Sequence, residues 1–243
     1  MIGLQPRLVG GAPVLEPEAL RERLRPASPH APRASLVCAE NTHNGAGGMV
    51  SSLEKLQAIR AVADEAGLPL HLDGARLWNA SVATGTSLAA FAACAETVMV
   101  SFSKGLGAPV GAVLVGSARV MAKAWETRKR FGGGMRQSGI LAAAGLYGLE
   151  HNLPHLHEDH RRAKALAAAL ASIADLRVVP PDTNIIMVDL PARLKAADVV
   201  AAARTAGVAI SAWNASRIRL VLHGDIDDTM LATATARMQE VLQ

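Results

Sequence analysis

Aromatic residues are nearly absent: the 243 residues include three Trp, three Phe and one Tyr. The core must therefore be filled by small aliphatic side chains, and a base-stacking surface for single-stranded nucleic acid is excluded. Cysteine is equally scarce. Cys38 and Cys94 both lie in apolar runs, which excludes a disulfide framework and points to a reducing compartment. The start, Met-Ile-Gly-Leu-Gln-Pro, has no charged segment followed by an apolar one, so no secretory signal is expected. The longest stretch without formal charge, Leu77 to Ala95, carries Asn79, Ser81, Thr84, Gly85, Thr86 and Ser87 and is too polar to span a bilayer. A cytoplasmic protein with no membrane partner is the expectation.

What is present is apolar mass: half the residues are hydrophobic and 19% charged, which excludes disorder and suffices for one large domain or two modest ones. Alanine alone accounts for 47 positions, favouring helices without indicating chemistry. The net charge is +4. Its densest basic groups, Arg21 to Arg25 and Arg128 to Arg130, sit beside Glu residues and read as solvated helix faces, not as a phosphate-reading patch. No nucleic-acid partner is expected.

Short runs rich in Val, Ile and Leu alternate with longer helical patterns, the mark of an α/β domain with a mostly parallel sheet. Strands are predicted at Ser35 to Ala39, Pro69 to Leu72, Thr97 to Phe102 and Val110 to Val115. Ser51 with Glu54 reads as a capping box for a helix carrying Leu53, Leu56, Ile59 and Val62 on one stripe, ended by Gly67. Helices follow over Ala118 to Lys129 and from Gln137 towards His151. After a linker-like His-Asn-Leu-Pro come a helix near Asp159 to Ser172, strands at Arg177 to Val179 and Asn184 to Leu190, and a helix near Lys195 to Thr205. Two more strands near Val208 to Ser211 and Ile218 to Leu222 precede a closing helix from Asp227. The division is thus 1–150, a large α/β domain, and 151–243, a small α+β domain. The first 34 residues, with six prolines, are the least organised.

The most informative residue is Lys104, just past a buried strand in Val98-Met99-Val100-Ser101-Phe102-Ser103-Lys104-Gly105-Leu106-Gly107. Its backbone is fixed by the sheet and glycines follow it, which suits a Schiff-base lysine; alone it also fits an ordinary lysine snorkelling from a strand end. Asp73 ends the neighbouring strand, and residues at the C-terminal ends of adjacent strands converge on one crevice. An Asp that keeps a pyridine nitrogen protonated and a Lys that anchors an aldehyde are the minimal protein contribution to pyridoxal phosphate chemistry. Asp73 also fits a helix N-cap. His151, His155, His157 and His160 form a cluster in which His157 and His160 could share a helix face. Pro154 interrupts it and no second ligand motif supports a metal, so it reads as the solvated start of a helix.

Four segments carry a resemblance: Glu40-Asn41-Thr42-His43-Asn44, His71-Leu72-Asp73-Gly74-Ala75-Arg76, Ser103 to Gly111, and Gly132-Gly133-Gly134-Met135-Arg136-Gln137-Ser138-Gly139. From about Ser35 to the C-terminus the chain resembles the low-specificity L-threonine aldolases, pyridoxal phosphate enzymes of fold type I in the β-eliminating lyase group. The resemblance implies a transferase-like (fold type I) large domain and pyridoxal 5'-phosphate as cofactor. It implies Lys104 as the Schiff-base lysine and Asp73 as partner of the pyridine nitrogen. Arg76 and Arg219 are implied as the clamp on the substrate carboxylate. His43 is implied as a candidate acceptor of the β-hydroxyl proton, directly or through a water, although a histidine near a turn is also commonly structural. Arg136 resembles a residue beside the cofactor phosphate at a dimer interface. The implied reaction is retro-aldol cleavage of threonine to glycine and acetaldehyde by a homodimer or homotetramer.

The family also has a Gly-Thr loop that cradles the phosphate and a histidine that stacks on the pyridine ring, both ahead of the matching segment. Neither is found here. Gly10-Gly11 has no suitable following helix, and His30 sits between prolines. The large domain is therefore expected to be N-terminally truncated, with raw sheet edges near Ser35 and Val110, weak cofactor binding and poor activity unless another chain supplies the rest. Two other readings stay open: a different β-eliminating amino-acid lyase, and an inactive remnant acting as a dimerising subunit.

Overall fold

The computed structural model describes residues 4–10, 14–24, 30 and 32–243; Gly11 and Arg25, which figured in the reading of the N-terminal region, lie outside it. A short helix α1 (Pro17–Arg23) precedes β1 (Val37–Glu40), α2 (Leu53–Glu65), β2 (Leu70–Gly74), α3 (Leu77–Thr84), α4 (Leu88–Ala92), β3 (Thr97–Ser101) and β4 (Ala112–Gly116). The four strands form one sheet in the order β1-β2-β3-β4, parallel from β1 to β3 and antiparallel between β3 and β4. Alternation along the strands sends Val37, Ala39, Leu70, Leu72 and Val98 to one face, where they pack with Leu56, Ile59 and Val62 of α2, Leu77 and Ala80 of α3 and Phe91 of α4. The opposite face carries Cys38, Glu40, His71, Asp73, Thr97 and Met99; Cys38 is exposed and the others half-buried. A parallel sheet is ordinarily covered on both faces. Here β1 and β4 are the outer strands, at the two edges expected from the sequence, and every residue of β4 from Ala112 to Val115 is exposed.

Several boundaries shift for local reasons. Strand β1 begins two residues late because pairing starts where the Val37 N–H meets the Pro69 carbonyl. The cap of α2 is Ser52, whose hydroxyl accepts from the Lys55 N–H at 3.2 Å, not Ser51. Ser51 is buried and exchanges both backbone hydrogen bonds with the side chain of Asn41. Ser52→Ala is therefore expected to cost about 1 kcal/mol in urea unfolding. Gly67 does end α2, at φ +65, with Leu68 N–H returning to the Ala63 carbonyl.

Helices α5 (Ala118–Arg130) and α6 (Gly139–Tyr147) follow, and the segment read as a linker is helical. Gly148–Asn152 forms a π-helical turn and Leu153–His155 a 3-10 turn, leading into α7 (Leu156–Ala171). Pro154 sits in the first turn of that short helix, where a missing N–H costs nothing.

The remaining elements are β5 (Arg177–Val179), β6 (Ile185–Asp189), α8 (Ala196–Thr205), β7 (Ser211–Asn214), β8 (Arg217–Val221) and α9 (Asp228–Leu242). They form an antiparallel sheet ordered β5-β6-β8-β7, with α7, α8 and α9 enclosing a second core around Ile186, Val188, Ile218, Leu166 and Met238. The strand expected near Val208 to Ser211 lies three residues later. Val208 bonds back to Ala203 at the end of α8, and Val208 and Ile210 supply core contacts without strand pairing. The paired residues 211–214 are all exposed, so hydrophobicity does not mark them. Among the described residues no helix is long and apolar enough to cross a membrane.

Candidate active site

The parallel register places the C-terminal ends of β1, β2 and β3 on one edge: Glu40 pairs with Asp73, and Asp73 with Met99. Lys104 follows β3 in a tight turn closed by the Gly107 N–H on the Lys104 carbonyl. Behind it, Trp78 donates Nε1–H to the Ser101 carbonyl at 2.9 Å, and Asn152 donates Nδ2–H to the Leu106 carbonyl at 2.8 Å. Asp73 accepts the Ala75 N–H at 3.0 Å in a turn ahead of α3; the N-cap of that helix is Arg76, not Asp73. Arg76 stands at the N-terminus of α3.

The loop after β1 carries His43. Its Nδ1 accepts the Ala46 N–H at 3.1 Å, which puts the ring proton of the neutral imidazole on Nε2, 3.7 Å from Glu40 Oε2. The other Glu40 oxygen accepts the Asn44 N–H at 3.0 Å. Asn44 then reaches across the molecule: its Oδ1 accepts from Arg219 Nη2 at 3.0 Å, although the two are 175 residues apart. Two further bonds lock this loop to the segment before β6, from Thr183 Oγ1 to the Gly48 carbonyl and from the Val50 N–H to Asp182 Oδ2.

Lys104, Arg76, Arg219, Asp73 and Glu40 share one electrostatic field. Burial lowers the Lys104 ammonium below its ordinary range and Arg76 pushes the same way, with Asp73 and Glu40 opposing. Burial also lowers Arg76, reinforced by Arg219 and opposed by Glu40 and Asp73, and burial alone lowers Arg219. The Nε–H of Arg219 is buried and has no hydrogen-bond partner among the described residues. A buried guanidinium donor left open in this way is a place for an anionic oxygen.

Of the six residues singled out in the sequence, Lys104, Asp73, Arg76 and His43 follow or end the strands at one end of the first sheet, and Arg219 reaches the same region from β8 of the second sheet. Arg136 does not join them. It is exposed on the segment between α5 and α6 and has no hydrogen bond or ion pair among the described residues. Glu40 and Asn44 were not assigned roles from the sequence. The acid three residues before His43 was a readable signal for the first, whereas nothing local marks the second. The histidine cluster needs correction: His157 is exposed, but His160 and Asp159 are buried at 5% and 2% exposure, because α7 turns that face onto α3. Among the described residues no group of three His, Cys, Asp or Glu side chains gathers to hold a metal ion.

A lysine beyond one parallel strand, an acid ending the next and two arginines, one beside each sheet, stand on an architecture of fold type I, a fold found among pyridoxal phosphate enzymes. A solved candidate L-allo-threonine aldolase from Listeria monocytogenes superposes with a TM-score of 0.79 at 26% identity, over 98% of this chain and 68% of that one. The chain belongs to the beta-eliminating lyase family, whose model matches residues 2–193. It is 43% identical over 199 residues to low-specificity L-threonine aldolase 1 of Arabidopsis thaliana, covering 80% of this chain and 56% of that protein. It is 39% identical over 220 residues to the low specificity L-threonine aldolase of Escherichia coli K12, covering 90% of this chain and 64% of that one. The chain thus spans between 56% and 64% of the length of these two curated relatives.

Proposed function

We propose that this chain provides the lysine, the ring-facing acid and the carboxylate clamp of a pyridoxal phosphate-dependent lyase that cleaves L-threonine or L-allo-threonine to glycine and acetaldehyde. The observation that carries the reading is the buried Nε–H of Arg219, without a hydrogen-bond partner among the described residues and in the same field as Arg76 and Lys104. Lys104, Asp73, Arg76 and Arg219 fit the amine, pyridine nitrogen and carboxylate that such chemistry must hold. Lys104 would hold the cofactor through its aldehyde and Asp73 would face its ring nitrogen, while Arg136 would approach the phosphate from a second copy of the chain in a homodimer or homotetramer. Bound there, pyridoxal phosphate supplies the electron sink for the pair released when Cα–Cβ breaks.

The chain's own groups do the rest. Arg76 and Arg219 grip the substrate carboxylate with two guanidinium forks and so set the angle at which Cα–Cβ is presented. With Nδ1 of His43 occupied by the Ala46 N–H, its Nε2–H faces Glu40. The accepting atom for the β-hydroxyl proton in that pair is then a Glu40 carboxylate oxygen, which His43 orients. The lowered Lys104 ammonium gives more free amine at neutral pH, the form that attacks an aldehyde. We also place the domain division near residue 150, between the two hydrophobic cores.

Incubation of the chain with pyridoxal phosphate, borohydride reduction and peptide mapping are expected to put a pyridoxyl group on Lys104, with none on any residue in Lys104→Ala. In the presence of cofactor, L-threonine should release acetaldehyde, at the poor rate expected of the chain by itself. Release of pyruvate or ammonia from other amino acids instead would identify a different lyase. No label on Lys104 and no turnover of either kind would leave the inactive subunit.

A further inference from the structure

Away from the reacting groups, a buried polar cluster joins three segments that bear them. Asn79 of α3, His160 of α7 and Asn184 just ahead of β6 are 2%, 5% and 5% exposed. The Asn79 amide donates to His160 Nε2 at 3.0 Å and reaches Asn184 Oδ1 at 3.5 Å. Asn184 then donates its own Nδ2–H to the Leu222 carbonyl at 2.8 Å, and the Leu222 N–H returns to the Asn184 carbonyl at 2.9 Å.

The placement of these bonds is telling. Asn79 lies one helical turn after Arg76, and Leu222 lies three residues after Arg219, just past the end of β8. The third segment is the lysine turn. A Cβ added at Gly105 would come within 3.6 Å of Asn79 Oδ1 and 2.8 Å of Leu156 Cδ2, so the backbone beside Lys104 rests directly on this cluster. Burying three polar side chains is costly unless they are bonded, and an apolar contact would serve packing alone.

We propose that Asn79 is a positioning residue: through His160 and Asn184 it fastens the helix that begins at Arg76 to the strand pair that carries Arg219, and so sets the separation of the two guanidinium groups. The inference rests on the reading of Arg76 and Arg219 as a carboxylate clamp. His160 suits the part because its buried ring stays neutral at physiological pH, leaving Nε2 as an acceptor for the Asn79 amide. Substrate would meet two forks already at the right spacing, with no ordering left to do on binding.

The test uses acetate as a carboxylate probe, titrated against the chain and followed by the Arg76 and Arg219 Nε–H resonances in 15N NMR. Asn79→Leu keeps the volume and removes the donor; it is expected to weaken acetate binding about tenfold, the scale of one misaligned charge-assisted hydrogen bond. His160→Leu should weaken binding similarly, while His160→Gln, which keeps an acceptor for Asn79, should restore most of the affinity. A role confined to stability would lower the melting temperature in all three variants and leave acetate affinity unchanged wherever the chain is folded. The fastening is read separately by hydrogen exchange at the Leu222 amide, expected to speed up at least about tenfold in Asn79→Leu. If Arg219→Ala leaves acetate affinity unchanged, the clamp reading fails, and the Leu222 exchange rate then decides the fastening alone. Unchanged Leu222 exchange in Asn79→Leu overturns the inference.

Discussion

Gly148→Ala is expected to lower stability by about 3 kcal/mol, at the upper end of what one added methyl ordinarily costs. Gly148 opens the π-helical turn, and a Cβ built on it lands on the Leu106 carbonyl oxygen, with Leu106 Cβ at 3.2 Å. That oxygen is the one that Asn152 holds. Backbone cannot swing aside as a flexible side chain can, so relief requires the turn carrying Lys104 to move or the helical junction to lift. For a chain of this length each kcal/mol is worth roughly 2–4 °C, giving a fall of about 6–12 °C in calorimetry. Gly139 provides the comparison. It starts α6 with nothing within 4 Å of its added Cβ, and Gly139→Ala should be neutral or stabilise by up to about 1 kcal/mol. Equal melting of the two variants would refute the account of the junction.

The second large effect is a dependence of stability on pH. Burial, then Lys164, then His157 bring the His160 pKa down from 6.5 to about 4. With the folded value below the unfolded one, the unfolded chain binds the extra proton first as pH falls. The contribution is therefore complete above about pH 6.5 and is lost as pH drops through about 4. A depression of this size corresponds to about 3 kcal/mol across that window. Asp159 acts in the opposite sense: burial raises its carboxyl, so its contribution is present at low pH and lost as pH rises. The measurement is accordingly a difference. Urea unfolding of the wild type minus that of His160→Gln, taken at intervals from pH 4 to 7, isolates the histidine. The difference should grow with pH and level off near 6.5; a flat difference would show that His160 titrates alike folded and unfolded.

How much of this was legible in the sequence depended on the range of each interaction. Strands β1, β2, β3 and β8 announced themselves because a buried strand needs consecutive apolar residues, and Asp73 and Lys104 were readable because they close such runs. The residues at 211–214 were invisible because their place in the sheet comes only from pairing with β8. The segment around Pro154 was misread because a proline was taken as a break where the helix in fact restarts. His160 looked solvated because the sequence cannot show that Asn79, 81 positions away, covers it. The bond from Asn44 to Arg219 has no local trace at all.

The face of the first sheet that carries Cys38 has a practical consequence. Cys38 lies exposed on it, directly paired with His71 and two residues before Glu40, and burial, with Asp73 next, raises its thiol pKa. Its thiolate is scarce at neutral pH, so alkylation should be slow but measurable. Cys94, the other thiol, is buried against the core. One native sulfur therefore serves as a gauge of that surface: whatever lies across it, from the same chain or another, slows a single labelling reaction whose rate needs no substrate and no cofactor to be read.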